Sequence, residues 1–482
     1  MQEAELKLEL SQSGARSLLK TNPFVSPPTI LQQKSVYFDT NAWDLTKRGL
    51  SLRIRQSGNE RIQTVKAGDG AAAGSFVREE WERPVTADAP VIDDPQIVAL
   101  LAGAGPELAP LFEVHVTRHR WNVTAGEAQI EVCLDVGKVV AADREAPLCE
   151  IELERKAGQP AALFDLARKV DLITPARLGV LSKAERGYRL LAAAQGAVKA
   201  SPAPLTSEMS AATAFARSAA VCLRQFRLNE MALSWSRDAE VLHQARVALR
   251  RLRSLFSICT SLFQDSRFDH LREELSWLAA ETGQARNIDV LIGRARDEEL
   301  AGRLKAMRGD AYRTLEATLS SARVRSLMID IDEFISGSMA DASAMPMHGR
   351  SARDFASTAL DRLWKKVARG RRLIDADDAA RHRLRIAAKK LRYAAEFFEP
   401  LFRSKIETKR HRRFIAAMAG LQDQLGDLND LAVAPGMLSS LGLLGVAGTQ
   451  DLFRAYDKAE LLRRAAEAHD GLVDIKRFWR SR

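Results

Sequence analysis

Cysteine, aromatic residues, long apolar runs and glycine-rich loops are all scarce in this 482-residue sequence, and each scarcity excludes something. The four cysteines, Cys133, Cys149, Cys222 and Cys259, form no CxxC pair, which argues against a thiolate zinc site or a dithiol redox centre. No apolar stretch approaches the roughly 18 residues that span a bilayer, and the first residues lack the basic-then-apolar order of a secretion signal. A soluble, cytoplasmic protein with no membrane partner is expected. There is no GxxxxGK loop, so phosphate would have to be held by side chains. The eight histidines offer no triad, since His115 and His119 have no Ser or Cys nucleophile pattern beside them. An aromatic content of 6% leaves few platforms for stacked bases, so nucleic acid is not the expected partner.

What is present divides into two styles. Residues 1–200 hold 25 Lys and Arg against 26 Asp and Glu, and the remainder holds 47 against 36, so the net charge of +10 belongs to the second part. The first part alternates with period two in "SVYFDT", "LSLRIR", "RIQTVKA", "FVREEWERPV", "VTRHRWNV", "AQIEVCLDVG" and "LCEIELERK", with "PQIVALLAGA" and "AALFDLARKVDL" as its helical intervals. After "GAVKASPAPLTSE", with Thr206 or Ser207 as a cap, the sequence becomes Ala-, Leu- and Arg-rich with a period near 3.6. The expected fold is multidomain: many strands with short turns point to a sandwich or a barrel over residues 1–195, followed by a linker at 196–206 and an all-α domain over 207–482. That domain has two similar helical-bundle halves, about 207–340 and 350–482.

Residues i and i+2 of a strand share a face, so the rows Glu3/Glu5/Lys7, Arg53/Arg55, Arg78/Glu80/Glu82, Arg118/Arg120, Glu131/Asp135 and Glu150/Glu152/Glu154 each charge one side of a sheet. One such row is usually a solvated face. Six of them, each backed by an apolar face, suit a closed sheet with a polar lumen. Carboxylate pairs are hard-oxygen ligands for Mg²⁺ or Mn²⁺, and Arg and Lys suit phosphate oxygens. Both signs together describe a metal and phosphate site.

The ordered set Glu3-x-Glu5-x-Lys7, "YFDT", Arg53-x-Arg55, Thr64-x-Lys66, Arg78-x-Glu80-x-Glu82, Arg118-x-Arg120, Glu131-x-x-x-Asp135-x-Gly137, "EIELE" and "SKAER" resembles the CYTH domain of the triphosphate tunnel metalloenzymes. The resemblance narrows the first part to an N-terminal antiparallel β-barrel tunnel (α+β) of eight strands, and implies that it hydrolyses a triphosphate with one or two divalent ions. It assigns metal binding to Glu3, Glu5, Glu152 and Glu154, with Glu80, Glu82 and Asp135 as further candidates. Triphosphate contacts fall to Lys7, Arg53, Arg55, Lys66, Arg118, Arg120, Lys183 and Arg186. Glu5 and Lys7 are the catalytic candidates, Lys7 either ordering the attacking water or neutralising the cage.

Further along, "HQARVALRRLR" (His243 to Arg253) and "HRLRIAAKKLR" (His382 to Arg392) share His, Arg, two basic residues and Arg at offsets 0, 3, 7, 8 and 10. "GQARNIDV" and "GDLNDLAV" echo each other from Gly283 and Gly426, and are expected to be helix-ending turns. On a helix His243, Arg246, Arg250 and Arg253 form one stripe, as do His382, Arg385, Lys389 and Arg392, with Leu249, Leu252 and Leu255 facing a core. Two copies of such like-charge crowding, with no acidic partner inside either stripe, suggest an anion. The pair resembles the CHAD domain, which implies polyphosphate binding by these residues with Arg251, Lys390 and Tyr393. Lys405, Lys409, Arg410, Arg412 and Arg413 read first as a solvated face.

The leading expectation is hydrolysis of inorganic triphosphate with a polyphosphate-binding module. The alternatives are an organic triphosphate, for which Trp43, Trp81 or Trp121 would supply a shelf, and a non-catalytic scaffold of polyphosphate bodies.

Overall fold

The computed structural model describes residues 2–68, 74–192, 196–340, 350–369, 373–453 and 457–480, with backbone only at 2–4, 76–78, 339, 340 and 453. The chain divides into two compact units. The first comprises Met1–Val198 with Arg227–Ala232 and Leu319–Gly337; the second is the remainder.

The first unit is built on strands β1 (Gln2–Glu9), β2 (Thr29–Asp39), β3 (Leu50–Ser57), β4 (Glu60–Ala67), β5 (Ser75–Pro84), β6 (Ala109–Ala125), β7 (Ala128–Ala141) and β8 (Arg144–Ala157). They run in the order β5-β4-β3-β2-β6-β7-β8-β1, all antiparallel, and β1 pairs back onto β5, closing the expected eight-stranded barrel. The short β9 (Arg177–Leu178) adds to the end of β1 through Leu8 and Glu9.

Period-two alternation turns the apolar side chains outward, where helices cover them. Helices α2 (Asp44–Lys47) and α3 (Pro95–Leu101) cover Leu50, Leu52, Ile54 and Val65 with Leu45, Ile97 and Leu101. Helices α1 (Gln12–Thr21) and α4 (Ala161–Ile173) lie against β1, β7 and β8, over the fully buried Leu6, Leu8, Ile151 and Leu153. Helix α5 (Lys183–Leu191) starts on a capping box, with Ser182 Oγ accepting from the Glu185 amide and Glu185 accepting from the Ser182 amide. Gly187 lets α5 touch the sheet, because a Cβ there would sit 2.1 Å from the Phe112 ring. The sequence indicated α3 and α4 but not α1, α2 or α5, whose hydrophobic periods are too short to stand out.

Two later helices contribute to this unit. In α11 (Ala322–Ala340), Asp330 pairs with Arg168 at 2.7 Å, Arg325 pairs with Asp171 at 2.5 Å, and Asp332 accepts from Ser75 Oγ at 2.7 Å. From α6 (Ala211–Leu233), the stretch Arg227–Ala232 packs Leu228 against Val180 and Leu181.

The second unit is helical among its described residues apart from an isolated antiparallel bridge, Ser210↔Ser351. Besides the rest of α6 it contains α7 (Ala239–Ile258), α8 (Ser266–Glu281), α9 (Gly283–Arg294), α10 (Glu298–Leu319), α12 (Ala352–Ala368), α13 (Asp378–Phe398), α14 (Lys405–Ser440) and α15 (Lys458–Val473). Two local expectations need correction. Ser210, not Thr206 or Ser207, caps α6, with its Oγ accepting from the Thr213 amide. Gly426 ends nothing: it lies inside the 36-residue α14, whose buried Leu421, Leu425 and Leu428 continue the helical period through it. A helix-interior glycine costs only about 1 kcal/mol, which that packing outweighs. Gly283 does stand at a break, directly after Thr282, which ends α8.

The internal repeat is written into one interface. Arg251, eight residues after His243, donates to Glu396 at 2.7 Å, and Lys390, eight residues after His382, donates to Ser257 at 2.8 Å. Glu396 and Ser257 each lie fourteen residues after the same histidines, so α7 and α13 exchange equivalent contacts about a local two-fold relation.

Candidate functional site

Strand register arranges the inward side chains of β1, β8 and β7 in levels. Glu5 stands opposite Glu154, and Glu154 opposite Glu131; next come Lys7, Glu152 and Cys133; then Glu9, Glu150 and Asp135. Register-opposed residues lie about 5 Å apart, so the first level is a row of three carboxylates. The facing wall is basic. Arg118 stands opposite Asp135 and Arg120 opposite Cys133, while β3 contributes Arg53 and Arg55, and β4 and β5 add Lys66, Glu80 and Glu82. The lumen so enclosed has a volume of about 220 Å³.

At the floor of the lumen the two signs are tightly matched. Lys183 Nζ lies 2.7 Å from Asp135, 2.6 Å from Glu150 and 2.7 Å from Glu152. Arg118 grips Asp135 with two bonds of 2.7 and 2.6 Å and reaches Glu152 at 2.7 Å. Lys7 bridges Glu152 and Glu5. Burial would lower the Lys7 and Lys183 pKa values, but the surrounding carboxylates outweigh it and raise both. Burial likewise opposes charge on Glu152, yet Lys183, Lys7 and Arg118 hold it well below the usual carboxylate range. Lys7 therefore stays protonated at neutral pH and does not act as a base there.

Cation outweighs anion on the basic wall. Arg55 is pushed down to about 10, first by Arg53, then by burial and Arg118. Arg53 Nε is buried with no hydrogen-bond partner, and Arg120 makes no hydrogen bond or ion pair among the described residues. Such a surface lowers its own energy by taking an anion.

The chemistry of the donors fits a hard divalent cation. Asp135, Glu150 and Glu152 bring oxygens within 4.8 Å of one another, but Lys183 and Arg118 already occupy that cluster. The row Glu5, Glu154 and Glu131 is the other carboxylate set and lines the lumen itself, with Lys7 beside Glu5 and Lys156 beside Glu154.

In the second unit α7 and α13 set their basic rows side by side. Arg246 is pushed down to about 10 by burial, then Arg250 and Arg286; Lys389 falls to about 8 through burial, then Arg385 and Arg250. Arg250 thus repels cations on both helices. Arg250, Arg385 and Lys389 make no hydrogen bond or ion pair among the described residues.

Residues 1–188 match the family model of the CYTH domain and residues 217–439 that of the CHAD domain. The chain is a CYTH domain joined to a CHAD domain. The inorganic triphosphatase of Haemophilus influenzae is 30% identical over 203 residues, which is 39% of this chain; the match spans about half of that relative, 55%. The crystal structure of the CHAD domain from the plant Ricinus communis is 28% identical with a TM-score of 0.50, over 59% of this chain and 98% of that one. A Hippeastrum adenylyl cyclase whose structure is described as revealing a dominant triphosphatase activity is 23% identical with a TM-score of 0.28, over 38% of this chain and 92% of that one.

Of the residues singled out in the CYTH sequence, the lumen gathers Glu5, Lys7, Arg53, Arg55, Lys66, Glu80, Glu82, Arg118, Arg120, Glu152, Glu154 and Lys183. Asp135 stands behind the wall, fully buried under Arg118 and Lys183. Arg186 turns to Glu9 at 2.5 Å and Glu150 at 3.4 Å rather than to the lumen. The side chains of Glu3 and Arg78 lie outside the described residues. Glu131 and Glu150 were overlooked as site residues although they stand in the very rows that carried the argument. The proposed aromatic shelf is not in the lumen: Trp121 is buried against Phe24, Trp43 packs on Tyr188, and Trp81 packs outside β4 and donates to Gln96. Tyr37 is the sole aromatic among the described lining residues.

In the CHAD domain, Leu249, Leu252 and Leu255 do face the core, as expected. Arg251 and Tyr393 leave the basic face: both are buried, Arg251 on Glu396 and over the Phe397 ring. The stripe is not free of acid either, since Arg392 touches Glu396 at 3.0 Å. Arg246 donates to Thr282, Arg253 to Ser276, and His382 meets Asn429. His243 stays in the row, its pKa lowered by burial, Arg286 and Arg250. Lys405, Lys409, Arg412 and Arg413 are exposed on α14, on the side away from the buried Glu407, His411 and Phe414.

Proposed function

We propose that the CYTH domain hydrolyses inorganic triphosphate with Mg²⁺ or Mn²⁺, and that the basic face of the CHAD domain binds polyphosphate. The observation that carries the first half is the division of one lumen into a carboxylate wall and an arginine wall. Glu5, Glu154 and Glu131 would hold the divalent ion, which supplies charge neutralisation and activation of water for attack on phosphorus.

The chain's own residues do the rest. Arg53, Arg55, Arg118, Arg120 and Lys66 neutralise the phosphate oxygens and fix the chain of phosphates in line. Glu152 is an anchor: with three cations on it, it holds Lys7, Lys183 and Arg118 in place and takes no proton at neutral pH. Lys7 keeps its proton and orients oxygen atoms near Glu5. A lumen of about 220 Å³ with one aromatic side chain favours an inorganic over an organic triphosphate.

Phosphate release from tripolyphosphate, thiamine triphosphate and ATP, each with Mg²⁺ and with Mn²⁺, tests this reading. Tripolyphosphate is expected to be the best substrate, and Glu5→Gln to abolish its hydrolysis. Binding without phosphate release would make the tunnel a scaffold site. For the CHAD domain, long-chain polyphosphate is expected to resist displacement by DNA or RNA at equal phosphate concentration.

A further inference from the structure

Residues 177–183 serve the tunnel floor from one side. The Gly179 amide donates to the Lys7 carbonyl at 2.8 Å, and a Cβ at Gly179 would sit 3.1 Å from Lys7 Cβ, so this segment rests directly on the strand that presents Lys7. Four residues on, Lys183 joins Asp135, Glu150 and Glu152. Between the two-residue β9 and the capped start of α5 at Ser182, the stretch 179–181 has no regular element of its own.

Its other side is held from α6, by residues of the same compact unit. Arg227, 2% exposed, donates from Nε to the Leu178 carbonyl at 3.0 Å and also binds Glu230. Glu230, equally buried, lies 3.8 Å from Arg177. The Arg227 guanidinium also stands 3.9 Å from Glu9, which binds Arg186, which in turn meets Glu150 beside Lys183. Leu228 closes over Val180 and Leu181. A buried guanidinium has few ways to satisfy its donors, so these contacts fix the height of the segment.

We propose that Arg227, with Glu230, is a positioning residue of the tunnel: it clamps residues 177–183 so that Gly179 supports Lys7 and Lys183 points to Glu152. The catalytic consequence rests on the function proposed above; the clamp itself does not. A residue more than thirty positions beyond the CYTH family match thereby completes the CYTH site.

The test uses the full chain carrying Arg227→Met with Glu230→Leu, which leaves neither member of the buried pair charged. Hydrogen exchange of peptides covering 177–186 is expected to quicken about tenfold with peptides of α7 and α13 unchanged, and KM for tripolyphosphate to rise about tenfold with a smaller change in kcat, since Lys183 shares Glu152 with Arg118 of the phosphate cage. If the double variant does not fold, Arg227→Lys is read the same way, because it keeps the charge and loses the guanidinium fork. Unchanged exchange at 177–186, or a uniform increase across the whole first unit, overturns the proposal. Absence of tripolyphosphate hydrolysis in the wild-type chain would count against the proposed function, while the exchange at 177–186 would still decide the clamp.

Discussion

The tunnel floor and the basic helical face both collect cations, but they settle the resulting repulsion in opposite ways. In the tunnel, Lys7, Lys183 and Arg118 are each held by carboxylates and their pKa values rise. On α7 and α13, burial first, with Arg250 adding to each, lowers the pKa values of Arg246, Arg385 and Lys389. A cage with internal counter-charge is rigid before its ligand arrives, which suits chemistry at a fixed geometry. A face where counter-charge is sparse, with Glu396 on Arg392 and Asp430 near Arg385 and Lys389, gains most from the ligand itself, which suits capture of a long anion.

The sharpest way to break that contrast is to remove the shared anion. Glu152→Gln should lower kcat/KM for tripolyphosphate by about 10²–10³-fold, measured by phosphate release, because three cations lose their common partner at once. Polyphosphate binding should not change. The converse variant, Arg250→Ala with Lys389→Ala, should weaken polyphosphate binding by about tenfold or more and reduce the slope of log affinity against log salt by about two, leaving tripolyphosphate hydrolysis intact.

Titration separates the regions further. Lys389, down to about 8 through burial and neighbouring cations, is lower in the folded protein than in the unfolded chain. Between about pH 8 and 10 the unfolded state therefore binds more protons, so this group's contribution to stability increases as pH rises through that window. Polyphosphate should restore the proton and bind more weakly at pH 9 than at pH 7. Lys389→Arg should flatten both trends, read by thermal melts and by binding isotherms.

The smallest effect concerns Asp332 in the first unit, raised to about 7 by burial and eased by the hydrogen bond from Ser75. Here the native state binds the extra proton, so stability from this group is full below about pH 4 and declines as pH rises to 7. Asp332→Asn should flatten that decline and raise the melting temperature by a few degrees at pH 8.

Much of this was legible because a strand puts i and i+2 on one face. Glu5 and Lys7, Arg53 and Arg55, and Glu152 and Glu154 could be called inward because six such rows, each with apolar alternates, recur together, and not from any one row alone. Arg251 illustrates where the reading failed: roughly 80° off the row, it meets the core, and only the packing of α13 shows that Glu396 waits there. Arg186 was assigned to the lumen with Lys183 by the resemblance that "SKAER" carries, yet Glu9 on β1 captures it.

The amino-acid order by itself determined the strand-rich first part, the basic helical rows and the chemical character of each, since those depend on local periodicity and charge, whereas closure of the barrel rests on β1 pairing with the distant β5. Tertiary structure alone decided which charges neutralise one another, and that α6 and α11 contribute to the first unit. Pairing energies depend on distances across the fold, between residues such as Glu9 and Arg227 that no sequence period connects.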